Sequence, residues 1–178
     1  MRLRSWIFGL VVFCCFIFSV EAFAEQISGL AQVQLNAKRI HFDVTQAILL
    51  TPDQADFLAL DDFGGALFRV QFKGDKLFIL GTQDSGYQSN SGKLKKILSL
   101  PVTQKEFLQI MNYQKPEDFL LSVQNGVVIW ESTKKNGLRA KFSDFRKLDA
   151  QRTYPRNIVL EFKKRSFRLS WTKLKYTP

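Results

Sequence analysis

Apolar and polar residues alternate with period two through most of this chain, and that pattern admits little besides a large antiparallel sheet. Ala66, Phe68, Val70 and Phe72 alternate with Leu67, Arg69, Gln71 and Lys73. Ile40, Phe42 and Val44 share one face, with His41 and Asp43 on the other. Val128 and Trp130 share a face within Val127–Glu131, and Leu138, Ala140 and Phe142 oppose Arg139, Lys141 and Ser143. Ile158, Leu160 and Phe162 follow Pro155, and Phe167, Leu169 and Trp171 continue the pattern. It then shifts to Leu174 and Tyr176, which predicts a bulge near Thr172. Ile27–Leu35, Phe57–Leu60 and Leu77–Leu80 read as further strands. Turn chemistry at Pro52-Asp53, Asp61-Asp62-Phe63-Gly64-Gly65 and Gly74-Asp75 separates them.

Only the middle of the chain departs from this rhythm. Gly81–Gly92, rich in Ser, Asn, Gln and Gly, reads as an exposed loop, and Lys93–Leu98 as a short helix. Thr103 with Glu106 three residues later forms a capping box, and Val102 with Phe107 a hydrophobic staple. Phe107, Leu108, Ile110 and Met111 give that helix its apolar face. Pro116 ends it, with a second helical turn expected around Glu117–Leu121. Roughly six strands, a helical insert and about four more strands make an α+β chain. A single antiparallel sheet of about ten strands must curl or close. The amphipathic helices between Lys93 and Leu121 are the candidates to cover its concave face.

The first 24 residues have the layout of a secretory signal peptide: Arg2 and Arg4, the uncharged run Trp6–Val20, and the small-residue site Ala22-Phe23-Ala24. Cleavage before Glu25 leaves one domain, residues 25–178, without either cysteine. Phe13 precedes Cys14, and Cys14 precedes Cys15, so neither cysteine has the small residue that a lipidation site wants before it. The net charge of +10 and 13% aromatic content invite a nucleic-acid reading. Export makes anionic lipid or an acidic surface the better partner and nucleic acid no partner.

No catalytic constellation, metal-ligand set or cofactor motif appears. His41 has no cysteine partner and shares a strand face with Asp43, a spacing common by chance. Asp61 and Asp62 flank a turn, where acids usually serve local hydrogen bonds. Gly64-Gly65 is too short for a phosphate loop. The chain reads as a binding protein, not an enzyme.

Three segments carry a resemblance to a known family: Leu58-Ala59-Leu60-Asp61-Asp62-Phe63-Gly64, Leu100-Pro101-Val102 leading through Met111 to Lys115-Pro116, and Pro155–Leu160 followed by a last strand from Arg165 to Tyr176. Over about Ile27 to Tyr176 the chain resembles the LolA/LolB group of periplasmic lipoprotein carriers and receptors, closer to the LolB side. It departs from LolB-like sequences in lacking a good lipidation cysteine. It also departs from the family in having only Glu25 and Gln26 before the first strand.

The resemblance implies a strongly curved, unclosed half-barrel with a short helical lid and a hydrophobic cavity for lipoprotein acyl chains or other lipid. The cavity would be lined by Phe42, Val44, Phe68, Val70, Phe72, Val128, Trp130, Phe142, Leu160, Phe162, Leu169 and Trp171. Phe107, Leu108, Ile110 and Met111 would form the lid, and Phe63 a tip that enters a bilayer. The implied partners are the inner leaflet of the outer membrane and a periplasmic carrier protein, and the implied site of action is the periplasm, at the periphery of the outer membrane. The basic tract Lys163, Lys164, Arg165, Arg168, Lys173 and Lys175 reads either as the solvated face of the last strands or as an attractor of anionic head groups. The alternative function is a non-catalytic envelope interaction module with a filled core and a basic binding face.

Overall fold

The computed structural model describes residues 25–37, 41–73, 76–81, 86–90, 98–150 and 152–178. The signal-peptide segment and both cysteines therefore lie outside the described residues, as do Gly74-Asp75 and all of Lys93–Leu98 except Leu98.

Six strands come first: β1 (Gln26–Asn36), β2 (His41–Thr51), β3 (Gln54–Leu60), β4 (Ala66–Lys73), β5 (Lys76–Gly81) and β6 (Gly86–Asn90). Helix α1 (Gln104–Met111) follows. Then come β7 (Phe119–Gln124), β8 (Val127–Ser132), β9 (Leu138–Lys147), β10 (Thr153–Phe162) and β11 (Arg165–Thr177). All eleven strands form one sheet in the order β6-β5-β4-β3-β2-β1-β11-β10-β9-β8-β7. Every pairing is antiparallel. The sheet is not closed: β6 and β7 are its two edges. First and last strands meet in the middle, so the two halves of the chain become the two wings.

The wings fold toward each other over α1. Phe107 packs against Phe72 of β4 and Phe167 of β11, while Tyr113, just past the helix, stacks on Trp130 of β8. In a flat sheet β4 and β8 would lie about 34 Å apart, seven spacings of ~4.8 Å. An eight-residue helix is only about 12 Å long. One short element touches both strands because the sheet curves around it.

Two expectations are corrected. Gly86–Asn90 is strand β6, within the segment expected to be a loop, and Phe119–Gln124 is strand β7 where a helical turn was expected around Glu117–Leu121. Both are edge strands. An edge strand has one partner and little burial, so its residues need not alternate. In β7 only Phe119 is buried, and Leu120, Leu121 and Val123 are exposed.

The bulge falls where the pattern shift predicts it. Leu30 pairs with Lys173 and Ala31 with Trp171, so Thr172 is the extra residue. Next to it, at the pairing of Gly29 with Leu174, the backbones approach closely: a Cβ on Gly29 would lie 2.0 Å from the Lys173 carbonyl oxygen. That contact admits no side chain.

Candidate functional site

Helix α1 begins at the capping box. The Thr103 hydroxyl accepts from the Glu106 backbone N–H at 3.2 Å, and the Glu106 carboxylate accepts from the Thr103 N–H at 2.7 Å. Polar contacts then fasten the helix to strands from both wings. Gln104 Nε2 donates to the Lys76 carbonyl of β5 at 3.1 Å. Glu106 pairs with Lys135 of the β8–β9 turn. Asn112 Nδ2 donates to the Thr51 carbonyl at the end of β2 at 2.9 Å. The buried Tyr154 hydroxyl of β10 donates to the Met111 carbonyl. Burial pushes the Glu106 carboxyl up, but hydrogen bonds from Lys135 and Thr103 outweigh it and hold it below the usual carboxylate range. Burial alone raises the Tyr113 hydroxyl, and it is the larger influence raising that of Tyr154.

The apolar face of α1 is buried at Phe107, Leu108, Ile110 and Met111. Phe107 also lines a cavity of about 90 Å³ between the helix and the β1–β4 wing. Four residues expected in a cavity meet there, Phe42, Phe68, Val70 and Phe72. Val33, Leu35, Phe57, Leu77, Leu98 and Phe167 complete the apolar wall. All but Leu98 lie on strands and obey the same alternation, but period two gives a face and not an address on it. Gln46 lines the cavity as well; it is buried, and among the described residues its Oε1 has no hydrogen-bond partner. A glutamine on the inner face of a strand breaks the alternation and was the available signal.

The other expected cavity residues lie elsewhere on the inner face. Val44 is half-buried on β2, beyond the cavity wall. Trp130 and Phe142 close a cluster with Tyr113, their ring centroids 4.2 Å apart. Leu160, Leu169 and Trp171 are buried in the core, with Val128 and Phe162 partly buried against it. Around Trp130 and Phe142 the concavity is thus filled by the protein's own side chains, while the β1–β4 side keeps an apolar space. A larger, more polar cleft of about 320 Å³ opens past the end of α1, between Tyr113, Arg152 and Tyr176.

Phe63 sits at the apex of the β3–β4 turn and is 99% exposed. Asp61 builds that turn: its Oδ1 accepts from the N–H groups of Phe63 at 2.9 Å and Gly65 at 2.6 Å. Gly64 adopts a φ of 83°. Turn geometry therefore holds the ring out in water, and exposed Leu67 lies just behind it. Asp43 accepts from Gln34 at 2.7 Å and from Gln32, while His41 is exposed at the strand's end. Among the described residues no group of three or more His, Cys, Asp or Glu side chains could hold a metal ion, and no helix is long and apolar enough to cross a membrane.

No known protein-family profile matches the sequence, and no curated protein matches it either. Solved structures do. A LolA superfamily protein from Nitrosomonas europaea superposes with a TM-score of 0.52 at 10% identity, over 87% of this chain and 86% of that one. A candidate outer-membrane lipoprotein-sorting protein domain from Vibrio parahaemolyticus superposes with a TM-score of 0.55 at 10% identity, over 88% and 87%. The chain shares the fold of these two structures, an unclosed antiparallel half-barrel around a short helix, as the sequence resemblance implied.

Proposed function

We propose that the protein is a periplasmic lipid carrier, which holds the acyl chains of lipoproteins or other lipids between α1 and the β1–β4 wing and delivers them to a bilayer at its Phe63 end. The reading rests on one observation: the inner face of that wing is lined by large apolar side chains that leave a cavity beside α1, which could move away from it. The fold shared with a domain that bears a lipoprotein-sorting description supports it. Export through residues 1–24, delivery in the manner of LolB, exchange with a second periplasmic carrier and the absence of catalysis belong to the same proposal.

The cavity of about 90 Å³ is small beside the roughly 300–1,000 Å³ of typical ligand pockets. Acyl chains enter, on this reading, as α1 swings off Phe57, Phe72 and Phe167, which are its aromatic contacts. An acyl chain replaces these aromatic contacts in kind, while the polar fastenings of Gln104, Glu106, Asn112 and Tyr154 open with the helix. Mass spectrometry of the purified protein after organic extraction tests the reading: co-purified acylated lipid is expected, and displacement of a hydrophobic fluorescent probe by a fatty acid should accompany it.

One observation favours a second reading. Tyr113, Trp130, Phe142 and Phe145 pack tightly into the other side of the concavity. A core filled to that degree on both sides would suit an envelope interaction module. A protein that yields no lipid and binds no probe would be that module.

A further inference from the structure

Strand register brings two features to one end of the sheet. Ser166 of β11 pairs with Asn36 of β1, and Asn36 pairs with His41 of β2. The β10–β11 turn at Lys163-Lys164 therefore lies at the same end as His41. Strands β2 and β3 are antiparallel, so the β3–β4 turn with Phe63 points to that end too. In sheet order three strand spacings, about 14 Å, separate β3 from β11. One flat surface can meet both.

Between the β10–β11 turn and the facing ends of β1 and β2 lies an open cleft of about 510 Å³. Asn36, Ala37, His41, Lys163, Lys164 and Arg165 line it. Lys163 and Lys164 are exposed, and among the described residues no carboxylate pairs with either. Arg165 donates Nη1 to the Ser99 carbonyl at 2.8 Å, and its guanidinium carries four further N–H donors. Phe162 pairs with Arg165, so the turn has two central residues, and the first, Lys163, has a φ of 57°. Turns of that shape favour Gly, Asn or Asp there. A lysine stands against the turn's own preference and puts a charge at its apex.

We propose that this cleft is a headgroup site for anionic phospholipid, and that the end of the sheet carrying it and Phe63 is the face that docks on a bilayer. Three cationic side chains and the polar Asn36 and His41 suit a phosphate diester, and the lysine stems suit the glycerol beneath it. Phe63 enters the acyl region while the cleft holds the surface. Asp62, beside Phe63, opposes the attraction and sets the docking off-centre toward the hairpin. The inference rests on the carrier reading for its purpose but not for its test.

Co-flotation of the protein with phosphatidylcholine vesicles, with and without phosphatidylglycerol, measures it. Phosphatidylglycerol should strengthen association, and added salt should weaken it. The double variant K163Q/K164Q should lose about 30-fold, each lysine near a charged surface contributing about fivefold. K163R/K164R should retain binding. K173Q/K175Q removes the same charge from the far end of β11 and should change association little. Equal loss in K173Q/K175Q and K163Q/K164Q would overturn the site in favour of a diffuse field. Indifference to phosphatidylglycerol overturns the docking face, as does binding of inorganic phosphate with no capture by the vesicles. Probe binding in the cavity separates the two ideas. Retained probe binding without lipid-charge dependence removes this inference alone. Charge-dependent flotation without probe binding removes the carrier reading and leaves the docking face.

Discussion

The ring of Phe107 on α1 lies 5.3 Å from that of Phe72 on β4, and this contact is at once a wall of the cavity and the closure of the lid. Phe107 is 1% exposed and also meets Phe57 and Phe167. Phe107→Ala should therefore cost about 3–5 kcal/mol in denaturant unfolding. It should also enlarge the cavity and strengthen binding of an apolar probe. Loss of stability with no gain in probe binding would mean that the wing collapses onto the space.

Filling the space is the converse experiment. Val70 is half-buried and lines the cavity on β4. Val70→Trp should occupy much of the 90 Å³ and abolish probe binding, with little cost in melting temperature. If the space is too tight, the overpacking costs about 1–3 kcal/mol instead. Melting and probe titration on the same sample separate the outcomes.

The lid's clasp should depend on pH. The Glu106 carboxyl is below the usual range in the folded protein because Lys135 and Thr103 donate to it against the effect of burial. A lowered folded value means that the clasp's contribution is fully present above the unfolded carboxylate value, about 4.3, and is lost as the pH falls through the folded value. Glu106→Gln should cost about 1 kcal/mol at pH 7 and almost nothing at the acid end of that window. Unfolding curves of parent and variant across the acid range should converge.

Much of this architecture is legible in residue order, and the limits have physical causes. Strands with a partner on each edge, such as β4 and β10, bury one face more than the other and announce themselves through alternation. Thr172 was visible because a bulge shifts the phase of Leu174 and Tyr176, and α1 because Thr103 and Glu106 carry their own cap. The edge strands β6 and β7 were hidden, since one-sided pairing leaves no alternation to read. The division of the concave face was hidden as well. Phe68 and Leu160 occupy equivalent positions in their strands, yet one lines space and the other is solid core. That difference depends on what packs above each face from elsewhere in the chain, as Tyr113 does over Trp130 and Phe142, and nothing in the alternation of either strand reports it.

The middle of the sheet has its own test. Gly29 sits beside the bulge, paired with Leu174 of β11, where a Cβ would collide with the Lys173 carbonyl oxygen. Strands β1 and β11 join the two wings, so no other pairing can take over their role. Gly29→Ala should destabilise the protein by about 3 kcal/mol or more. An unchanged melting temperature would mean that the bulge can shift along β11.

Phe63 separates membrane delivery from a merely structural turn. Its ring is 99% exposed, and the turn beneath it is held by Asp61 and Gly64, not by the ring. In the free protein the side chain buries nothing, so Phe63→Glu should move stability by no more than about 0.5 kcal/mol. A bilayer would change that balance. Full burial of a phenylalanine is worth roughly 1.5–3 kcal/mol, or about 10- to 150-fold in a transfer equilibrium. Vesicle association, and acyl-chain delivery with it, should fall by that factor, and the glutamate's repulsion from an anionic surface adds to the loss. Probe binding should survive, because Phe63 is not among the residues that line the cavity. Co-flotation beside melting curves decides the matter. Unchanged flotation with an unchanged melt would leave Phe63 an idle turn residue and move the whole of membrane docking onto the basic hairpin.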